Sequence, residues 1–367
     1  MLPPIKKCPK SQLPLSSSVI IASNEDLLTE ILFRLPIKPL FQFKCVSKNW
    51  LSIITNPLLS HRKNINLCKN ISGLYVVLRK MFMFKSEYDI IPLDKNNVSS
   101  AVSESLISDH SIQILQSCNG LLLCCSGKGI RDGKYDYFIC NPTTRQFKTI
   151  PDPIYKSFVM RKGIESVYSV NLAFDPRTSP HYKVVCIYFS KTLEDHFDME
   201  IYSSETGVWK RLGNSFTAEV NFKIGVYWNG AINWFSLWEG DGLYFNVNEE
   251  RFGKIPMFPL PEGWEERRVM YFGESNDHLH LIEIYGPCTT KFNVYEMDKE
   301  YTGILYTRKN EESFVVLSVP GKAVHYNIED ETVEKIWDFD QGECDFECPS
   351  IFNWFDVFQY IESVSAV

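Results

Sequence analysis

The chain has 367 residues of ordinary globular composition, 44% hydrophobic and 23% charged. Its net charge of −7 and pI of about 5.6, with no basic cluster, argue against nucleic acid as a partner, because phosphate neutralisation needs concentrated lysine and arginine. Aromatic side chains make up 14% of the residues, which favours an interior of half-buried β-sheets.

The N-terminal segment and the cysteines predict where the protein works. Residues 1–22 contain four prolines and no continuous apolar stretch, so we expect a disordered lead rather than a signal peptide. Apolar runs are too short to span a membrane, and no membrane partner is expected. The 11 cysteines are scattered, and several lie in apolar runs, as Cys124 and Cys186 do. Reduced, buried thiols are therefore favoured over disulfides, which predicts a cytoplasmic or nuclear location.

Residues 23–64 have a helical pattern. Ser23 or Asn24 can cap a first helix, Pro36 ends it, and Pro39 suits the first turn of the next helix. Two apolar faces follow helical spacing. They consist of Leu27, Leu28, Ile31, Leu32 and Leu35 in the first helix, and Phe41, Cys45, Val46 and Trp50 in the second. A segment this short cannot bury both faces alone, so some apolar surface is left for a partner or for the downstream domain.

The sequence pattern of residues 65–367 predicts many short strands. Five stretches share one design, a strand, a polar turn and a second strand with a bulky apolar residue. They are residues 139–147, 201–209, 245–252, 294–301 and 326–333. Asn119-Gly120 and Asn229-Gly230 supply the positive φ of tight hairpin turns. Repeated short sheets with little helix predict a mainly β fold, a β-propeller preceded by a small helical domain.

The helical region resembles the F-box. The resemblance is carried by three runs in order, an acidic start with paired leucines, a Leu-Pro pair, and a Phe-x-Cys-Val-Ser-x-x-Trp run. They are Glu25 to Leu32, Arg34-Leu35-Pro36, and Phe43 to Trp50. The Leu-Pro pair that usually opens the motif is replaced by Ser23-Asn24, which removes an apolar contact of roughly 1.5–3 kcal/mol when fully buried.

The remainder is similar to the kelch-like, F-box-associated β-propeller domain of plant F-box proteins. The matching segments are residues 118–122, 140–145, 172–176, 181–185, 201–206, 225–232, 278–283 and 294–297. The interval from Tyr301 to Ser313 is shorter than the family pattern, as if a strand pair were missing.

The resemblance implies a non-catalytic, cofactor-free substrate-recognition subunit of a Skp-cullin-F-box ubiquitin ligase. The F-box would bind a Skp-type adaptor, and through it a cullin, while the propeller would hold a target protein. The residues assigned to adaptor binding are Leu27, Leu28, Ile31, Leu32, Leu35, Pro36, Leu40, Cys45, Val46 and Trp50. Without the resemblance, a helical core is the simpler interpretation of these residues.

Two other functions stay open: an F-box protein that binds the adaptor without ligase activity, and a propeller enzyme such as a glycoside hydrolase, for which no convergent carboxylates are visible.

Few other residues suggest a binding site. Trp238 and Trp264 lie in Gly- and Glu-rich loops and are assigned to target binding, with packing as the alternative. His278 and His280 would point to one face of a strand, but no third ligand is apparent nearby, so no metal is expected. The segment 127–134 fails the spacing of a phosphate-binding loop and predicts a hairpin tip.

Overall fold

The computed structural model describes most of the chain after residue 23. The described residues are 24–67, 71–79, 86–93, 112–127, 135–154, 167–190, 192–285, 293–301, 304–306, 314–319, 322–327, 332–338 and 357–367. The predicted disordered lead and most of the predicted hairpin tip at 127–134 lie outside these ranges. Internal contacts divide the chain into two compact units, Met1–Lys63 and Asn64–Val367.

The first unit is helical. Its helices are α1 (Glu25–Arg34), α2 (Ile37–Phe43), α3 (Lys48–Ile54) and α4 (Pro57–Leu67), the last of which crosses the unit boundary. The cap of α1 is Asn24, whose Oδ1 accepts a hydrogen bond from the backbone N–H of Leu27 at 3.1 Å. The Ser47 hydroxyl caps α3 in the same way, accepting from the N–H of Trp50 at 3.2 Å.

One apolar core holds the helices together. Its buried side chains are Leu28, Leu32, Leu40, Ile53, Ile54 and Leu59. At the edge of this core, the buried ammonium of Lys63 donates to the backbone carbonyls of Phe33 (3.0 Å) and Leu35 (2.5 Å). These carbonyls belong to the end of α1, where a helix leaves acceptors without intrahelical partners and favours a positive charge.

The second unit is a β-propeller of six antiparallel sheets among the described residues. Sheet 1 contains β1 (Gly73–Arg79), β2 (Ser86–Pro92) and β22 (Val357–Tyr360). Sheet 2 contains β3 (Ile112–Cys118), β4 (Leu121–Gly127), β5 (Tyr135–Asn141) and β6 (Gln146–Thr149). Sheet 3 contains β7 (Val167–Ala173), β8 (Lys183–Phe189), β9 (Phe197–Ser203) and β10 (Val208–Phe216).

The other three sheets follow in chain order. Sheet 4 contains β11 (Val226–Trp228), β12 (Ala231–Trp234), β13 (Gly242–Asn246) and β14 (Arg251–Ile255). Sheet 5 contains β15 (Val269–Ser275), β16 (His278–Glu283), β17 (Asn293–Met297) and β18 (Ile304–Tyr306). Sheet 6 contains β19 (Phe314–Val319), β20 (Lys322–Asn327) and β21 (Val333–Asp338). The interval that looked short by sequence therefore contributes the fourth strand of sheet 5, while residues 307–313 lie outside the described ranges.

Neighbouring sheets meet along their first strands. Strand β3 lies against β7, β7 against β11, and β11 against β15. Between β3 and β7, the side-chain amide of Gln116 makes two hydrogen bonds to the backbone of Leu172. It donates to the carbonyl at 3.0 Å and accepts from the N–H at 2.7 Å. Apolar side chains fill the gaps between the sheets, with Phe222, Trp234 and Phe245 fully buried in the largest cluster.

The predicted hairpins repeat from sheet to sheet. The first and second strands of sheets 2, 4 and 5 are joined by two residues that both have positive φ, Asn119-Gly120, Asn229-Gly230 and Asn276-Asp277. Three of the five repeated stretches, 139–147, 201–209 and 245–252, are confirmed, since each spans the ends of two adjacent strands and their turn. The stretch 326–333 reaches from β20 into β21, whereas 294–301 contains most of β17 but ends before β18. In two of these turns an asparagine, Asn141 or Asn246, accepts two backbone N–H groups with its Oδ1.

The two ends of the propeller unit are joined in sheet 1. Strand β22 pairs with β1 from Gly73 opposite Tyr360 to Val76 opposite Val357. Beyond β22, the fully buried Asn141 amide donates to the carbonyls of Ser363 (3.1 Å) and Ser365 (2.8 Å). We call residues 361–367 the C-terminal clasp.

The clasp also contacts the beginning of the unit. The Asn64 side chain donates to the Ser365 hydroxyl at 2.8 Å and accepts from the N–H of Val364 at 3.0 Å. Both asparagines are buried, so each would leave polar atoms without partners if the clasp detached.

A substitution at Gly120 tests whether the clasp packs against the β3–β4 turn. A Cβ at this position would meet the Ser363 side chain and lie 2.9 Å from the Ile361 carbonyl oxygen. Gly230 occupies the same place in its own Asn-Gly turn at a similar φ, with nothing within 4 Å of an added Cβ. Gly230→Ala should cost about 1–2 kcal/mol of unfolding free energy for positive φ alone. Gly120→Ala should cost a further ~1–3 kcal/mol through overpacking. Urea unfolding of the full chain measures both, and equal losses would show that the clasp is not packed against this turn.

Two candidate interaction surfaces

The structure separates the ten residues assigned to adaptor binding by exposure. Leu28, Leu32 and Leu40 are buried in the helical core. Leu35 and Trp50 are half-buried against it, and Trp50 meets Phe43 edge-on with ring centroids 5.2 Å apart. The exposed residues are Leu27, Ile31, Pro36, Cys45 and Val46.

Leu27 and Ile31 lie one helical turn apart on α1 and expose 49% and 43% of their surface. Val46, between α2 and α3, exposes 57%. Leu51 on α3 is 43% exposed and was left out of the predicted set, although it continues the apolar run of that helix. These exposed apolar side chains make the helical unit a candidate partner surface. We call Leu27, Ile31, Val46 and Leu51 the helical apolar set.

The two tryptophans assigned to target binding lie in connections at one end of sheet 4. Trp238 is 47% exposed in the connection from β12 to β13, and Trp264 is half-buried in the connection from β14 to β15. In an antiparallel sheet, the second-to-third connection and the chain that leaves the fourth strand are at the same end. The Asn-Gly turns are at the other end.

Arg267, which belongs to the connection that carries Trp264, forms a buried ion pair and also bonds the other connection through its backbone. The Arg267 guanidinium bonds the Glu283 carboxylate of β16 at 2.9 Å, and both side chains are almost fully buried. Arg267 also donates from its guanidinium to the carbonyl of Phe258 and from its backbone N–H to the carbonyl of Leu237 at 2.7 Å. One residue therefore contacts both tryptophan-bearing connections.

Tyr285 extends the contacts of the ion pair to Trp264. Its hydroxyl donates to Glu283 at 2.9 Å, and its ring meets Trp264 edge-on at 5.4 Å. Burial, followed by the hydrogen bond to Glu283, raises the pKa of Tyr285, so the hydroxyl stays a donor at physiological pH. The guanidinium of Arg268 lies 5.4 Å from the Trp264 ring centroid. Sequence reasoning missed Arg267 and Glu283, because no spacing rule joins a loop residue to a strand residue.

A charged cavity of about 410 Å³ lies among the turns at the other end of the sheets. It is lined by Asp175, Arg177, Thr178, Trp228, Asn229, Gly230, Asp277 and Lys299. Arg177 bridges Asp175 (2.9 Å) and Asp277 (3.1 Å), and Lys299 bonds Asp277 at 3.1 Å. Partial burial opposes ionisation, but hydrogen bonds from Lys299 and Arg177 outweigh it and lower the pKa of Asp277.

That lowered pKa is the reverse of what a glycosidase acid requires. Burial raises the pKa of the nearby Glu274, but Glu274 is not among the residues that line the cavity. Its carboxylate instead accepts the backbone N–H of Asp277 at 2.6 Å. Glu274 is thus held by the turn rather than presented to the cavity.

The two histidines have an acidic neighbour that the sequence did not reveal. Glu296 on β17 lies 2.5 Å from Nδ1 of His278 and 4.0 Å from Nε2 of His280. Across the part of the chain that the structure describes, no group of three or more His, Cys, Asp or Glu side chains is arranged to hold a metal ion. Strand pairing places Glu296 directly opposite His280, a proximity that the spacing of the two histidines did not reveal.

Known families match both units. Residues 24–62 match the F-box domain, and residues 74–295 match the F-box associated beta propeller domain. The chain belongs to the F-box proteins with an F-box-associated β-propeller. It is 31% identical to F-box protein At5g07610 of Arabidopsis thaliana, over 96% of this chain and 94% of that protein. It is 26% identical to F-box protein At5g49610 of the same plant, over 71% of each chain.

Other similarities are more distant. F-box/kelch-repeat protein At3g23880 of Arabidopsis thaliana is 24% identical to this F-box protein, over 63% of this chain and 64% of that protein. The β-propeller domain of the Trilobed protease from Pyrococcus furiosus aligns with a TM-score of 0.34 and 12% identity, over 61% of this chain and 71% of that chain. Within the described residues, none of the helices is long and apolar enough to cross a bilayer.

The buried ion pair leads to a stability prediction. Glu283→Leu should lower the unfolding free energy of the full chain by about 3–5 kcal/mol, because it leaves the Arg267 charge buried without its partner. The double variant Arg267→Met with Glu283→Leu removes both charges and should recover most of this loss. Urea unfolding of the three proteins measures the effect. A single variant that unfolds like the wild-type chain would contradict the assigned pairing.

Proposed function

We propose that this F-box protein is the substrate-recognition subunit of a Skp-cullin-F-box ubiquitin ligase. The helical unit binds a Skp-type adaptor, and the adaptor joins a cullin. The propeller unit holds a target protein. The chain contributes proximity rather than bond-making residues, since it brings a target within reach of the enzyme that carries ubiquitin.

The observation that carries the adaptor half is the exposure of the helical apolar set on an F-box. Leu28 and Leu32 already supply the core of α1, so Leu27 and Ile31 are not needed for internal packing. Covering the exposed half of each large aliphatic side chain contributes on the order of 1 kcal/mol. Leu27, Ile31 and Val46 together therefore supply a useful part of an adaptor interface.

The target half rests on the tryptophans. Trp238 and Trp264 are accessible, and the connections that carry them are fixed by Arg267. Tryptophans held in place before binding lose little conformational freedom when a partner arrives, which favours them as anchors.

We propose a cytoplasmic or nuclear location, where ubiquitin ligases of this class work. The thiols support it. Cys124 and Cys140 are buried free cysteines, and burial raises the pKa of both, to about 11 for Cys140. Such thiols stay protonated and unreactive in a reducing compartment.

The adaptor half is tested by Leu27→Asp combined with Ile31→Asp. Both positions are exposed, so the helical core should remain folded while an adaptor would have to bury two new charges. We expect co-purification with a Skp-type adaptor to be lost, with at least a hundredfold weaker affinity in a titration, on the order of 3 kcal/mol.

The matched control is Leu58→Asp, a leucine that is 72% exposed in the same unit but outside the predicted docking set. It should keep adaptor binding. Unchanged binding by the double variant, or no binding by the wild-type chain where a known F-box protein binds, would reject the proposal. Adaptor binding without ubiquitin transfer to any captured protein would instead favour an F-box protein without ligase activity.

A further inference from the structure

Four glutamates lie on the two connections that carry the tryptophans. Glu239 follows Trp238 in the chain, and Glu265 follows Trp264. Glu262 and Glu266 lie on the same connection as Trp264, and all four carboxylates belong to exposed residues. We call Trp238, Glu239, Glu262, Trp264, Glu265 and Glu266 the acidic aromatic surface.

The two connections form one surface because their backbones touch. The N–H of Arg267 donates to the carbonyl of Leu237 at 2.7 Å. Glu266 and Trp238 are the chain neighbours of these two bonded residues, so the two connections run next to each other at this point. The Trp264 turn is closed by the bond from its N–H to the Pro261 carbonyl at 3.1 Å, which keeps Trp264 and Glu265 on the same connection in a defined position.

The charges of this surface are unbalanced. None of its four glutamates has an ion-pair partner among the residues that the structure describes. Arg267 is committed to Glu283, and the neighbouring Asp241 is committed to Lys254 at 3.2 Å. Within the described residues, Arg268 is the one cation of these connections without a carboxylate partner, so the four glutamates outnumber it and the local field is negative.

Arg268 also shows what the surface accepts. Its guanidinium lies over the Trp264 ring at 5.4 Å, as in a cation–π contact. A phosphate-bearing partner, whether nucleic acid or an anionic lipid surface, would be repelled by the four carboxylates. A partner with lysine or arginine next to apolar side chains would match both the charge and the rings.

We propose that the acidic aromatic surface binds a lysine- or arginine-bearing segment of the target protein. This inference rests on the proposed assignment of target binding to the propeller unit, and it adds the chemical class of what is bound. The cationic groups of the segment meet the four glutamates, and its apolar or guanidinium groups lie against Trp238 and Trp264. Binding weakens with salt, because exposed charges are screened.

Selection from a random peptide library displayed on phage, with the full chain immobilised, tests the inference. The variant combines Glu239→Gln, Glu262→Gln, Glu265→Gln and Glu266→Gln. The control removes the same number of charges at strand turns elsewhere in the propeller, with Glu205→Gln, Glu249→Gln, Glu250→Gln and Glu300→Gln. Seven of the eight residues are exposed and Glu250 is half-buried, and the ion pairs that Glu249 and Glu250 make with Arg251 and Lys210 lie at the surface, where such pairs contribute little. Urea unfolding should therefore show that both proteins stay folded.

We expect the wild-type chain and the control to select peptides enriched in lysine and arginine. The strongest synthetic peptide should bind the variant at least about tenfold more weakly than the control, and higher salt should reduce this difference. Selection of uncharged or acidic peptides overturns the inference. So does selection of no peptide at all, or equal affinity of a basic peptide for variant and control.

Adaptor binding, measured on the same proteins, separates the two proposals. If all three proteins bind the adaptor but the selected peptides are not basic, the inference about target class fails and the ligase proposal stands. If the wild-type chain does not bind the adaptor, the proposed function fails, whatever the peptide selection gives.

Discussion

The pairing of β22 with β1 is the constraint on which the propeller unit depends. It joins the last described strand to the first, so β1 has hydrogen-bonded neighbours on both sides instead of an open edge. The C-terminal clasp then supplies hydrogen-bond acceptors to the buried side-chain amides of Asn64 and Asn141, which lie far apart in sequence. Each sheet packs against its neighbours, so the arrangement of the sheets depends on this pairing. The connections that carry Trp238 and Trp264 start from these sheets.

The Arg267–Glu283 pair positions the connections rather than stabilising the fold as a whole. Burying two charges costs desolvation free energy that an exposed ion pair does not lose. A protein with a buried pair is therefore often no more stable than one with apolar side chains in the same places. Its geometric effect is clearer. Arg267 reaches carbonyls on two connections, and Tyr285 links Glu283 to Trp264. We infer that the pair fixes the tryptophans in one arrangement before any partner arrives.

The sequence predicted the fold well because its local signals agree. The cap at Asn24, the Asn-Gly turns and the repeated strand pairs each follow from short-range chemistry, and all are present. Helical periodicity predicted the apolar residues of the first unit but not which of them face outward. Leu27 and Leu28 are adjacent in sequence, yet only Leu28 is buried, a difference that depends on where the other helices pack.

Long-range pairing was beyond the reach of sequence patterns. Glu296 comes opposite His280 through strand register, and Glu283 meets Arg267 through the return of a connection to β16. Neither partner is marked by composition or spacing. The loop positions of Trp238 and Trp264 were predicted from their Gly- and Glu-rich surroundings. Their place on touching connections depends on the backbone bond of Arg267 and required the structure.

The proposed function requires one chain to bridge an adaptor–cullin complex and a target protein. Retention of proteins from a cell extract on immobilised adaptor–cullin complex, quantified by mass spectrometry with and without the chain, tests it most directly. We expect a set of proteins that is retained only when the wild-type chain is present and is lost with Trp238→Ala combined with Trp264→Ala. The same set retained without the chain, or a chain that itself fails to be retained, would contradict it.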